Sequence, residues 1–323
     1  MKYIYAGSRA MTLQNELLGE TELDMLLSAK SFSEAYNNLN ETFLARYIAK
    51  KDPEELPYIL ENVVLDTKKI LSFIAPEPEI LDILWLKYDF YNLSALIKGS
   101  KKGLSNEEML ELCFKSGKYD PEVLLEKYKE NDLKKLNYYL MKAERKAKDH
   151  KEVSDIDRVM NISYLESIRY ISEKNGNEFA KKYTSLIIDI FNIQANLRAL
   201  SYGAYNEAPY HVFVSGGNLR KNQMEDEEEL LKALFQKGKS DSWKEAADEY
   251  RKTGSYALIE KTCDEYLIEF LKRESFKIFS PAPLFLYFQA VKNNVQVVRT
   301  ILVSKYTGMS EYDLRRILRK LYV

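Results

Sequence analysis

The stretch DIFNIQANLR (Asp189–Arg198) restates DFYNLSALIK (Asp89–Lys98). Each opens with Asp, continues with two bulky apolar residues, Asn and an aliphatic residue, and places a basic residue six positions after the Asn. In the earlier copy Ile83, Leu86, Phe90, Leu93 and Ile97 step by three and four. In the later copy Tyr183, Leu186, Ile190, Ile193, Leu197 and Leu200 keep that rhythm. This is the period of a helix with one buried stripe. A third copy, NNVQVVR (Asn293–Arg299), lies on a stripe of Phe288, Val291, Val295, Val298 and Leu302. At ~100° per residue, Asn and the basic residue flank the stripe on opposite sides, ~120° apart across the polar face. The recurring polar residues are therefore Asn92 with Lys98, Asn192 with Arg198, and Asn293 with Arg299.

Other pieces recur in order. Acidic helix starts followed by leucines occur at Glu20–Ser31, Asn106–Tyr119 and Asp226–Ser240. Each runs to a small residue and Lys, at Ala29-Lys30, Gly117-Lys118 and Gly238-Lys239; a glycine there suits the left-handed end of a helix. Helices opening on an aliphatic-acidic pair follow, at Leu60-Glu61, Ile156-Asp157 and Ile259-Glu260. After the Asn helices come breaks at Gly103, Gly217 and Gly308, with Ser105 and Ser310 placed to cap the next helix. The expected division is an N-terminal helix (1–20), three helical repeats (21–103, 104–224 and 225–308) and a closing helix (309–323). This period is longer than the ~33–47 residues of common helical arrays. Three such units can close around a pseudo-threefold axis or stand in a row.

Composition agrees with an all-α body. The 323 residues are 46% hydrophobic and 30% charged, with only 12 Gly and 8 Pro, enough apolar material for a core. Period-two alternation is confined to HVFVS (His211–Ser215), which has no evident strand to pair with. Proline marks helix entries in KKDPEELPY (Lys50–Tyr58) and APEPEI (Ala75–Ile80). A net charge of −1 argues against a general nucleic-acid binder, which needs a positive field. Two distant cysteines and two distant histidines form no metal or disulfide pattern. GSKKGL (Gly99–Leu104) lacks phosphate-loop spacing, and SGG (Ser215–Gly217) reads as a turn. No apolar run is long enough for a signal core or a membrane span, so a cytosolic or membrane-peripheral protein is expected.

Two readings of the repeated polar residues stand side by side. They form a polar helix–helix contact kept from one ancestral unit, or they line a surface that receives a partner. The two are compatible.

The stretches Tyr3–Leu39, DIFNIQANLRAL (Asp189–Leu200), VSGGNL (Val214–Leu219) and NNVQVVRTILVSKYTGMSEYDLRRIL (Asn293–Leu318) resemble the C subunit of the V-type (A-type) rotary ATPases, whose eukaryotic counterpart is the d subunit. The resemblance covers essentially the whole chain. It implies a funnel of three similar helical subdomains with no catalysis and no cofactor. It implies one copy per complex, on the cytoplasmic side of the membrane, between the proteolipid rotor ring and the D and F subunits of the central stalk. ATP would be hydrolysed in other subunits, and this chain would transmit torque for ion transport or ATP synthesis. One departure is Asn294, where the family usually has Glu. The candidate partner-binding residues are Asn92, Lys98, Asn192, Arg198, Asn293 and Arg299. The competing readings are a generic helical scaffold for another protein partner and an enzyme with an unfamiliar helical site.

Overall fold

Helix signals in the sequence translate directly into local structure. The computed structural model describes residues 2–49, 51–150, 152–201, 212–224, 228–230, 232 and 240–321. Among them every regular element is a helix and none is a strand, so the all-α expectation holds. Pro53 opens the 3-10 turn Pro53–Glu55, and Pro57 sits in the first turn of the helix Leu56–Ile74. Pro78 opens the turn Pro78–Leu81, which leads into the helix Asp82–Lys102. A missing N–H and a preset φ suit proline to these first-turn positions.

Two of the three expected glycine breaks are helix stops of one design. Gly103 takes φ +73° and Gly308 φ +72°. Beyond them Leu104 N–H donates to Gly99 O (3.0 Å) and Met309 N–H to Ser304 O (2.9 Å), each satisfying an orphan carbonyl. Ser105 and Ser310 then cap the next helix, each Oγ accepting from the backbone N–H three residues on. Gly217 is different, since its φ is not left-handed. Nor is Gly117 at a left-handed helix end, and Ala29 ends its helix at φ −55° and ψ 135°. Gly238 and Lys239 lie outside the described residues. The small-residue-plus-Lys pairs are therefore not a shared helix stop.

The chain divides into two compact units. One joins Met1–Pro78 to Ile268–Val323, and the other is Glu79–Leu267. These cuts fall inside the first and third repeats as drawn from the sequence. In the first unit the long helix Ala282–Tyr306 is central, packed against Ile4–Gln14, Phe32–Asn38, Leu56–Ile74 and Glu311–Ile317. In the second unit the helix Asp82–Lys102 packs on Asn106–Glu111, Pro121–Lys129, Tyr138–Lys148 and Val153–Asn175. The helix Glu178–Ser201 packs through Ile193 and Leu197 on a core containing Leu219, Trp243, Ala247 and Ile259. Glu178–Ser201 also packs on Val153–Asn175, which precedes it, whereas the main partners of Asp82–Lys102 all follow it. The third Asn helix takes its main partners from the start of the chain, because a helix buries its stripe on whatever complementary face is offered, not on its sequence neighbour.

The stripes themselves are interior. Ile83, Leu86, Phe90, Leu93 and Ile97 are buried, as are Phe288, Val291, Val298 and Leu302. The expected polar face is not solvated. Asp89, Asn92 and Ser94 are buried beside the stripe, so the helix Asp82–Lys102 is enclosed on two sides. The compensation for that burial lies in the loops described next.

Candidate functional site

Asp and Asn one turn apart face the same way on a helix. In both copies they grip an irregular segment of the same chain. Asn92 Nδ2 donates to Phe114 O (2.8 Å), and Phe114 N–H donates to Asn92 Oδ1 (2.8 Å). Asn192 does the same to Val214, at 2.9 and 2.8 Å. A planar amide reproduces the donor–acceptor pair that a neighbouring strand would offer. This is the partner that the strand-like HVFVS lacked in the sequence. Val212 O is met too, by Asn196 Nδ2 at 2.9 Å. His211 lies outside the described residues.

The aspartates hold the next turn. Asp89 accepts from Lys118 N–H (2.9 Å) and Tyr119 N–H (3.0 Å). Asp189 accepts from Leu219 N–H (2.8 Å) and Asn218 Nδ2 (2.9 Å). A Cβ on Gly117 would stand closer than 3.0 Å to Asp89 Oδ1, and one on Gly217 closer than 3.0 Å to Asp189 Oδ1. Glycine is thus required here by close approach rather than by φ. The register of the repeat follows: Gly117 corresponds to Gly217, as Asp89 to Asp189 and Asn92 to Asn192. KSGKY and SGGNL are one structural turn, so Gly217 is the counterpart of Gly117 and not of Gly103 and Gly308. The repeated offset from Asp to Gly is the signal available in the sequence.

Aromatic packing seals the first clamp. Phe114 meets Tyr88 edge-on at 5.7 Å between centroids. Tyr119 donates its hydroxyl to Leu136 O (2.6 Å). Burial, then the nearby charges of Asp89 and Asp82, push the Tyr119 hydroxyl well above the ordinary phenol range, so it stays a neutral donor.

The other candidates are placed as follows. Lys98 is half-buried and pairs with Asp157, whose Oδ1 also accepts from Ser94 Oγ (2.8 Å). Asp157 is the acidic member of the Ile156-Asp157 pair, so that recurring signature has a structural role here. Nothing is described of the Arg198 side chain. Arg299 is exposed and has no ion-pair partner among the described residues. Asn293 is buried and donates to Lys320 O (2.8 Å). Asn294, the residue that departs from the family pattern, is fully buried. Its Oδ1 accepts from Leu18 N–H (2.8 Å) and its Nδ2 donates to Ala290 O (3.0 Å). A neutral amide meets both groups, whereas an ionised carboxylate cannot donate. The structure therefore brings each Asn onto its own chain and leaves the Arg299 guanidinium facing solvent.

No group of three metal-ligating side chains occurs among the described residues, and none of the described helices is long and apolar enough to cross a membrane. Similarity to known proteins is more informative. A family model described as ATP synthase (C/AC39) subunit matches residues 7–317. The C subunit of the A-type ATP synthase of Methanocaldococcus jannaschii is 24% identical over 98% of this chain and 86% of its own length. The C subunit of the V-type sodium ATPase of Enterococcus hirae is 22% identical over 95% of each chain. The C subunit of the A-type ATP synthase of Methanothermobacter thermautotrophicus is 23% identical over 94% of this chain and 84% of its own. With nearly its whole length matched, the chain belongs to the ATP synthase (C/AC39) subunit family and is a non-catalytic subunit of such a complex.

Proposed function

We propose that this chain is the rotor coupler of a V/A-type ATPase, joining the D and F subunits of the central stalk to the membrane proteolipid ring and passing torque between them. The match over residues 7–317 carries this reading. The polar clamps support it physically. A coupler must not yield under twist, and loops tied into helices by buried hydrogen bonds are hard to shear, since each broken bond strands a desolvated group. Packed helix interiors add low compressibility. The proposed arrangement is a pseudo-threefold funnel of three helical repeats, one copy per complex, peripheral on the cytoplasmic side of the membrane.

At the stalk, the three basic positions Lys98, Arg198 and Arg299 are the proposed contacts. Asn92, Asn192 and Asn293 would act with them by holding the loops and the chain end onto their own helices. Two experiments test this. A tagged chain purified from native membranes in mild detergent should bring down the stalk subunits and the ring, identified by mass. Recovery of the chain alone, or with an unrelated partner, would replace the coupler by the generic scaffold. The combined variant Lys98→Ala, Arg198→Ala and Arg299→Ala should keep the ring but lose most of the stalk. Normal assembly and coupling in that variant would remove the three basic residues from the interface.

A further inference from the structure

Three segments of the first unit meet at one end of it. Gly7 lies against the Pro283 side chain, and Leu18 N–H bonds Asn294, so Ile4–Gln14 runs parallel to Ala282–Tyr306. The Thr67 side chain stands beside that of Tyr287, while Glu77 accepts from Lys2 Nζ (2.8 Å) and the Tyr3 hydroxyl (3.0 Å). The helix Leu56–Ile74 therefore runs antiparallel to Ala282–Tyr306. Its last turn, the N-terminal residues and the connection 276–281 all lie where Ala282–Tyr306 begins. Each of the three exposes large apolar side chains there: Tyr5 is 70% exposed, Phe73 89% and Phe276 82%, with Ile278 and Phe279 also exposed.

Scattered apolar residues on a surface need no explanation, but three positions in one short loop, Phe276, Ile278 and Phe279, all exposed, do. The charges around it favour one kind of partner. Lys2 pairs with Glu77, and Lys277 with Glu274. Arg273, exposed at the root of the Phe276–Phe279 loop, has no partner among the described residues. Aromatic and aliphatic tips beyond a free cation fit the boundary layer of a phospholipid bilayer. In such a layer aromatic rings sit at headgroup depth while a guanidinium can reach back to phosphate.

We propose that this end of the protein touches lipid directly, with Phe276, Ile278 and Phe279 as the inserting tip, Tyr5 and Phe73 as flanking contacts, and anionic headgroups met by Arg273. This goes beyond the coupling reading and needs neither stalk nor ring. The test uses the purified full-length chain and vesicles of zwitterionic phospholipid with or without one-third anionic phospholipid. The wild type should sediment with the anionic vesicles. Combined Phe276→Ser, Ile278→Ser and Phe279→Ser should weaken binding by about tenfold or more, since each exposed apolar side chain adds to interfacial partitioning. Arg273→Gln should remove much of the preference for anionic lipid. Ile278→Trp supplies an independent readout, because Trp85 and Trp243 are buried and give a constant background. Its emission should shift to the blue with vesicles and be quenched by brominated acyl chains. Absence of both sedimentation and a blue shift overturns the proposal, as does unchanged binding by the triple serine variant. If the wild type ignores vesicles but binds the detergent-solubilised ring through these residues, the end is a protein contact and the lipid proposal is wrong. Co-purification with the stalk is a separate measurement, so either reading can fail alone.

Discussion

The two clamps of the second unit differ instructively from the Asn293 site of the first. Asp89-Asn92 and Asp189-Asn192 each fasten an internal loop, with matching bonds to positions the same distance along the chain. At Asn293 the aspartate position is Ala290, and the amide holds Lys320 O near the chain end instead. The same helix with the same Asn thus does a fuller job where it must fix a loop between two helices. It does a lesser one where only a terminus needs tethering. A buried carboxylate is tolerated where backbone N–H groups stand ready to meet it, and is absent where none does.

Replacing each Asn by Leu breaks this comparison most severely. Asn192→Leu leaves Val214 N–H and C=O unpaired in a buried setting, and at ~1–3 kcal/mol for each stranded group should cost about 2–6 kcal/mol. Asn92→Leu strands the Phe114 groups in a part-buried setting and should cost less, about 1–3 kcal/mol. Asn293→Leu loses one bond and should cost about 1 kcal/mol. Denaturant unfolding of the three variants checks the order. Equal losses at all three positions would mean that the clamps contribute nothing particular.

A double-mutant cycle sharpens the comparison further. Gly117→Ala drives a methyl into the Asp89 carboxylate and should cost about 1–3 kcal/mol, as overpacking does. With Asp89→Ala already in place the added penalty should nearly vanish, a coupling of at least ~1 kcal/mol. Additive losses would place the steric conflict elsewhere.

The smallest effect belongs to the tie between the chain start and Glu77. The hydrogen bond from Lys2, then that from the Tyr3 hydroxyl, holds the Glu77 carboxyl below its ordinary value of 4.5. A depressed carboxylate stabilises the fold above its unfolded pKa and loses that contribution as the pH falls through the folded one. Glu77→Gln should therefore lower stability by about 0.5 kcal/mol at neutral pH, the pair being well exposed. The difference from wild type should close as the pH drops below 4.5. A difference that persists in acid would deny the carboxylate its role.

Local chemistry made much of this fold readable in advance. Apolar spacing of three and four identified the buried stripes, because a helix repeats every 3.6 residues whatever surrounds it. Gly103 with Ser105 and Gly308 with Ser310 announced stop and restart, since both the left-handed φ and the Oγ cap are satisfied within a few residues. The proline entries were legible for the same reason. The candidate residues were legible only as a pattern. Asn92 and Asn192 could be found by repetition, but their partners lie 22 residues away in segments without any periodic signal. The burial of Asp89 and Asn92 was hidden too, because a polar residue reads as solvent-facing until its hydrogen-bond partner is known.

The amino-acid sequence by itself determined the helical class, the positions of the helices and the recurrence of the Asn-bearing ones, all properties set within a few turns of chain. Only the tertiary structure decided that the polar residues face inward, that Gly117 and Gly217 are equivalent, and that the chain start packs beside Ala282–Tyr306. Those outcomes depend on which distant backbone groups arrive at a given helix face, and the energy of desolvating and pairing them exists only once the chain has folded.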